Sequence, residues 1–156
     1  MQNNNGNYGK QRNWQNNNSL PAAELPEGYL NGGYYADKEK KELKKEYIVK
    51  YSKHIAKSLD DEGGRDINKR SQLRKFYEYV IRVEKSVFYS EHNFERYEAD
   101  LWELLPHVEY AKSRKVVSDI FVKFIKKNLD NIHDEKDLKA FSRHFESIVA
   151  YTKKDN

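Results

Sequence analysis

The chain contains no cysteine, one methionine and three prolines in 156 residues. Without thiols there is no disulfide framework, no thiolate metal site and no cysteine nucleophile, a pattern that fits a reducing compartment. Glycine is also scarce: there are seven, with none after Gly64, which argues against a many-stranded β fold and for long uninterrupted helices. No apolar run approaches the ~18 residues that a membrane span requires. The polar N-terminus lacks the basic-then-apolar pattern of a signal peptide. A cytoplasmic protein with no membrane partner is the expectation. Catalytic motifs are missing as well. The five histidines are His54, His92, His107, His133 and His144, and none has HExxH or comparable ligand spacing. His92 and Glu95 lie one turn apart and read as an exposed helix-start pair, and His54 reads as a half-buried, hydrogen-bonded histidine. There is no glycine-rich phosphate loop and no GxSxG elbow. No enzyme activity, metal or cofactor is expected.

What the chain does have is charge and aromatic surface. Charged residues make up 35% and hydrophobic ones 37%, the latter rich in aromatics (12 Tyr, 7 Phe, 2 Trp). The length suits one domain with a modest core. Residues 1–18 hold eleven Asn or Gln and almost no aliphatic side chains. Such a segment cannot bury enough apolar area to offset its ordering entropy. With Pro21, Pro26, Gly28, Gly32 and Gly33 following, residues 1–33 read as a disordered low-complexity tail and 34–156 as a helical domain.

From Asp37 the apolar spacing is that of α-helices. Helix 1 is expected from Asp37 to Leu59, with Tyr47, Ile48, Tyr51 and Ile55 on one stripe and Asp60 to Gly64 as its stop. Helix 2 runs from Lys69 to Tyr89 behind Asn68 as N-cap, with Leu73, Phe76, Tyr77, Val80, Val83 and Val87 buried. Helix 3, from Phe94 to Leu104, ends near Pro106, which favours a break or kink. Helix 4 then continues to about Asn128, with Tyr110, Val117, Ile120, Phe121 and Phe124 on one face. Helix 5 covers Glu135 to Lys153, with Leu138, Phe141, Phe145, Ile148 and Val149 inward. The expected fold is all-α, a compact bundle of about five helices with short connections and antiparallel neighbours.

The net charge of +4 is unevenly spread. Residues 65–85 carry seven Lys/Arg against three acids, and residues 112–127 carry six against one. Between them, residues 86–111 carry one against six. Two basic blocks around an acidic one make a surface with sides. Lys69 and Arg70 crowd the start of helix 2, where the macrodipole disfavours cations unless an anion docks there. Arg74, Lys75, Arg82 and Lys85 stand away from the apolar stripe, and Lys112, Lys115 and Lys126 form a second ridge. From charge alone, solvated faces remain the simpler reading. Phosphate binding requires several cations to converge. On a wheel of ~100° per residue Glu84 lands inside the apolar stripe of helix 2. A buried carboxylate needs a partner, expected to be a basic residue such as Arg114 or a tyrosine, unless Glu84 sits at the exposed end of the stripe.

Three segments resemble a known family. "SQLRKFYEYVIRVE", starting at Ser71, "LWELLPHVEYAKSR", Leu101 to Arg114, and "FSRHFESIVAYTK", Phe141 to Lys153, occur in the order found in the small helical subunit of type III-A CRISPR (Csm) effector complexes. The chain departs from the family pattern at Lys69-Arg70, where Thr-Thr is usual, in the 1–33 tail and in residues 86–100. The resemblance implies a non-catalytic subunit that stacks as a filament beside the subunits holding the guide RNA. It implies contact with the guide–target RNA duplex region, mainly the target strand, without sequence specificity. Partners would then be that duplex, the other Csm subunits and further copies of this chain. By position, Gln72, Arg74, Lys75 and Arg114 match the family motifs; charge placement adds Arg70, Lys112 and Lys115 as RNA-binding candidates. The alternative is a stand-alone helical protein-interaction module with solvated basic faces. Charge alone leaves Arg114 open between binding RNA and pairing with Glu84.

Overall fold

The computed structural model describes residues 23–155. The expected tail residues 1–22 lie outside that range. Six α-helices follow a 3-10 turn at Lys45–Tyr47: α1 (Lys50–Gly63), α2 (Arg70–Tyr89), α3 (Phe94–Trp102), α4 (Leu104–Ser113), α5 (Asp119–Asn131) and α6 (Glu135–Tyr151). Among the described residues there is no named strand, only an isolated bridge between Tyr35 and Leu43, so the all-α class holds. α1 and α2 both pack on α6, α4 packs on α5, and α3 packs on α2. The apolar stripes expected for helix 2 and for the last helix face this interior: Leu73, Val80, Val83 and Val87 of α2, and Leu138, Phe141, Phe145, Ile148 and Val149 of α6 are buried. Phe124 is the hub, with Phe121, Phe141 and Phe145 ring centroids 5.4–6.0 Å away.

Four expectations are corrected. First, α1 begins at Lys50, not Asp37. The Asp37 carboxylate accepts from the amides of Lys41 and Glu42, and Lys40 has a φ of +56°; these fix a turn where a helix was expected. Second, one helix expected to run to Asn128 is two, separated by residues 114–118. Lys115 reverses the chain at φ +59°, and its amide and that of Val116 close on Lys112 O and Ala111 O as at a helix C-terminus. Third, the break near Pro106 falls at Glu103; Pro106 sits in the first turn of α4, where no N–H is needed. Fourth, residues 23–33 belong to the folded body. Tyr29 and Leu30 are at most 4% exposed, and with the buried Tyr34 they form an arm laid on the core.

These arm residues close a polar network within the core. The His144 ring is fully buried between α6 and the arm. Its Nδ1 lies 2.5 Å from Tyr47 O, an acceptor only, so Nδ1 carries the proton. Nε2 therefore accepts, and the Tyr29 hydroxyl donates to it at 2.5 Å. Tyr29 O in turn accepts from Asn128 Nδ2 at 2.9 Å, and Asn128 Oδ1 accepts from the Tyr34 hydroxyl at 2.7 Å. The Ser52 hydroxyl donates to Tyr47 O at 2.5 Å. No buried side-chain polar atom among the described residues is left without a partner. Burial holds His144 down at about 4, against an ordinary 6.5, so the ring is neutral near pH 7.

Candidate nucleic-acid interface

Asn68 decides where the two basic blocks lie. Expected as the N-cap of α2, it is instead buried, at φ +59°, one residue before the cap position held by Lys69. Its amide N–H donates to Val116 O at 3.0 Å. Its side chain donates to Leu59 O and to Ser118 Oγ, and accepts from the Ser118 amide at 2.9 Å. Asparagine tolerates this left-handed backbone better than other non-glycine residues. The clamp joins the loop before α2 to the loop between α4 and α5, so the start of the first basic block and the start of the second meet at one end of the bundle.

The α2 N-terminus does receive an anion, supplied by the chain itself. The Asp155 carboxylate accepts from the amides of Arg70 and Ser71 at 2.8 and 3.0 Å. The Ser71 hydroxyl and these amides hold the Asp155 carboxyl below the ordinary range. Sequence reasoning gave Asp155 no role; the crowding of cations at Lys69-Arg70 was its only signal.

The candidate cations divide by their company. Arg70 is turned inward: its guanidinium donates to Ala150 O at 3.2 Å, to Thr152 O, and to Thr152 Oγ1 at 3.3 Å, closing the carbonyl end of α6. Lys112 is paired with Asp119 at 2.9 Å, and Asp119 also takes Lys123 at 3.1 Å. The Lys112 hydrogen bond holds the Asp119 carboxyl low, and the same bond raises the lysine. Arg74, Lys75, Arg114 and Lys115 are exposed and in no ion pair among the described residues. The Arg114 guanidinium stacks 5.6 Å from the Tyr110 ring centroid, and Tyr110 is itself 63% exposed. Gln72 is half-buried.

The α2 candidates do not share one flank. Gln72 lies one heptad before Tyr79, whose hydroxyl donates to Asp100 O at 2.6 Å, so it follows the α3 side. Arg70 lies one heptad before Tyr77, whose ring is 5.8 Å from Phe145 on α6. Arg74 lies one heptad before Ile81, which lines a cleft with Lys136 and Lys139 of α6. Lys75 lies one heptad before Arg82, whose guanidinium is 5.5 Å from the Tyr79 ring centroid, so it borders the α3 side.

The expected Glu84–Arg114 pair does not form. Glu84 is half-buried beside α6, where desolvation raises its carboxyl while Ser142 and Lys139 partly compensate. Arg114 lies against Tyr110 instead. The histidines also differ from expectation. His54 is exposed and reaches Glu24 O at 3.2 Å, and His92 pairs with Glu135 at 2.8 Å, not with Glu95. No group of three or more His, Asp or Glu among the described residues is arranged to hold a metal ion. No helix among them is long and apolar enough to cross a membrane.

A sealed aromatic core with its cations on the outside defines a small all-helical protein whose distinguishing chemistry is on its surface. The family model described as Csm2 Type III-A matches residues 42–156, and the chain belongs to that family, the small subunit of the type III-A CRISPR complex. No curated protein and no solved structure gives a significant match. The matched range begins at Glu42, so the arm that delivers Tyr29 and Tyr34 to the core precedes it.

Proposed function

We propose that this Csm2-family chain is a non-catalytic subunit that contacts the guide–target RNA region of the complex, mainly the target-strand backbone, without reading base sequence, in cytoplasmic antiviral defence. The observation that carries this reading is the Asn68 clamp, which brings the starts of the two basic blocks to one end of the bundle. Cations without base-reading partners suit backbone contact. Arg74, Lys75, Arg114 and Lys115 are the contacting set. Arg70 and Lys112 have intramolecular partners and act mainly by holding the α6 terminus and the start of α5.

The test is RNA affinity as a function of salt. Replacing Arg74, Lys75 and Lys115 with alanine lowers the slope of log K against log salt by roughly 0.7 to 0.9 for each phosphate no longer neutralised. An unchanged slope and affinity refute this assignment. The exposed acids Glu98, Asp100 and Glu103 offer the complementary face to a basic region of a neighbouring copy. Reversing their charge lowers the copy number in purified complexes; an unaltered copy number removes that interface from the reading.

A further inference from the structure

At its C-terminal end α2 turns two adjacent aromatic rings outward. Phe88 is 55% exposed and Tyr89 81%. The two rings meet edge to face at 5.2 Å, and His92 stands edge-on to Phe88 at 5.1 Å. The rest of α2 buries its apolar stripe, so this pair is an exception within its own helix. Two clefts open beside the rings. One, of about 520 Å³, lies between α2 and the start of α6 and includes Ile81, Phe88, Lys136 and Lys139. The other, of about 390 Å³, lies toward α3 and includes Arg96 and Tyr97. Lys85 and Tyr89 line both. The Tyr89 ring thus forms a shared wall with a cation beside it.

Charge around the clefts favours an anionic occupant. Lys85, Arg96, Lys136 and Lys139 are exposed along the linings. Against them stand two carboxylates, Glu84 and Glu135, and Glu135 is engaged by His92 at 2.8 Å. Aromatic faces interleaved with cations fit a polyanion that carries flat apolar groups, which is a single-stranded nucleic acid. A duplex offers its phosphates but keeps its base faces stacked inside.

We propose that this double cleft is a stacking platform for unpaired bases of single-stranded RNA, with bases against Phe88 and Tyr89 and phosphates on Lys85, Arg96, Lys136 and Lys139. The proposal rests on the reading that the chain contacts RNA, and adds a second surface, at the far end of α2 from the Asn68 clamp, that selects unpaired strands.

The experiment uses the full chain and two fluorescent RNA probes, an unstructured oligoadenylate containing 2-aminopurine and a fully paired duplex. Phe88→Ala with Tyr89→Ala removes exposed rings only, and an unchanged urea midpoint confirms the fold. The double variant should bind the single strand roughly tenfold to a hundredfold more weakly. It should keep the wild-type salt slope and duplex affinity, and lose the 2-aminopurine quenching that the wild type shows. Tyr89→Trp should retain the quenching. Unchanged single-strand affinity and quenching in the double variant overturn the platform. If the Arg74, Lys75 and Lys115 variant loses RNA in the same assay while the aromatic variant does not, the platform fails and the backbone-contact reading stands. If the wild type binds neither probe, both fail. If the aromatic variant binds RNA normally but no longer co-purifies with the other subunits, the surface is a protein interface and the proposal is overturned.

Discussion

Acidification should destabilise this protein through a single buried ring. His144 is fully buried, and its proton affinity falls from an ordinary 6.5 to about 4 on folding. Between those values the unfolded chain takes up a proton that the folded chain refuses, so stability falls with decreasing pH by about 1.4 kcal/mol per unit. The contribution is intact above pH 6.5 and fully lost below about pH 4. From pH 7 to pH 5 the loss is about 2 kcal/mol, and about 3 kcal/mol once both values are passed. The carboxylates held low, Asp37, Asp119, Asp134 and Asp155, weaken the fold only as pH falls below the usual carboxylate range. Glu84, raised by burial, works in the opposite direction and offsets part of the loss. Urea unfolding at pH 7, 6 and 5 measures the sum, with the wild-type midpoint expected to drop by about 1 M over that range. His144→Gln removes the titrating group while keeping a donor and an acceptor. The variant starts less stable, but its midpoint should be nearly flat between pH 7 and 5. If the variant and the wild type lose stability in parallel, the burial argument for His144 is wrong.

Asp155→Ala removes the anion at the start of α2 and should lower the urea midpoint at pH 7; Asp155→Asn should lose less, because its amide oxygen still accepts. Lys40 bridges Asp134 at 2.5 Å and Asp137 at 3.0 Å, and Asp137 is only 4% exposed. Lys40→Ala takes the cation away from that buried carboxylate and should destabilise by about 2 kcal/mol, a loss that disappears if Asp137 is replaced by asparagine in the same chain. Asn68→Ala breaks the clamp and places alanine at a left-handed φ; about 3 kcal/mol is expected. Asn68→Gly, which relieves the backbone but does not restore the side-chain hydrogen bonds, should recover about 1 kcal/mol of it.

The helices that pack the core were readable because their spacing repeats every three to four residues. Leu73, Val80 and Val87 in α2 and Phe141, Phe145 and Ile148 in α6 mark their own inward faces. The arm was unreadable for the same reason: Tyr29 and Tyr34 sit among glycines and polar residues with no period, and they bury rings because their hydroxyls meet His144 and Asn128 far along the chain. The break after α4 was hidden because Val116 and Val117 continue the apolar run, with neither proline nor glycine to mark the turn. At the candidate interface, composition identified the cations and the resemblance to the Csm small subunit ordered them. Which cations are free was not legible. Arg70 and Lys112 are engaged by Thr152 and Asp119, groups on other elements whose approach depends on the whole bundle.

The arm also bears on the order of folding. Its hydrogen bonds join residues 115 positions apart at Tyr29–His144 and 94 apart at Tyr34–Asn128. Contacts of that span close late, since each requires a long loop to be closed before any bond repays it. The phenylalanine cluster of α5 and α6 joins residues close in sequence and can condense first. On this argument the arm closes over His144 no earlier than the α5–α6 cluster forms, so refolding followed through the burial of that ring should not run ahead of refolding followed through helix content.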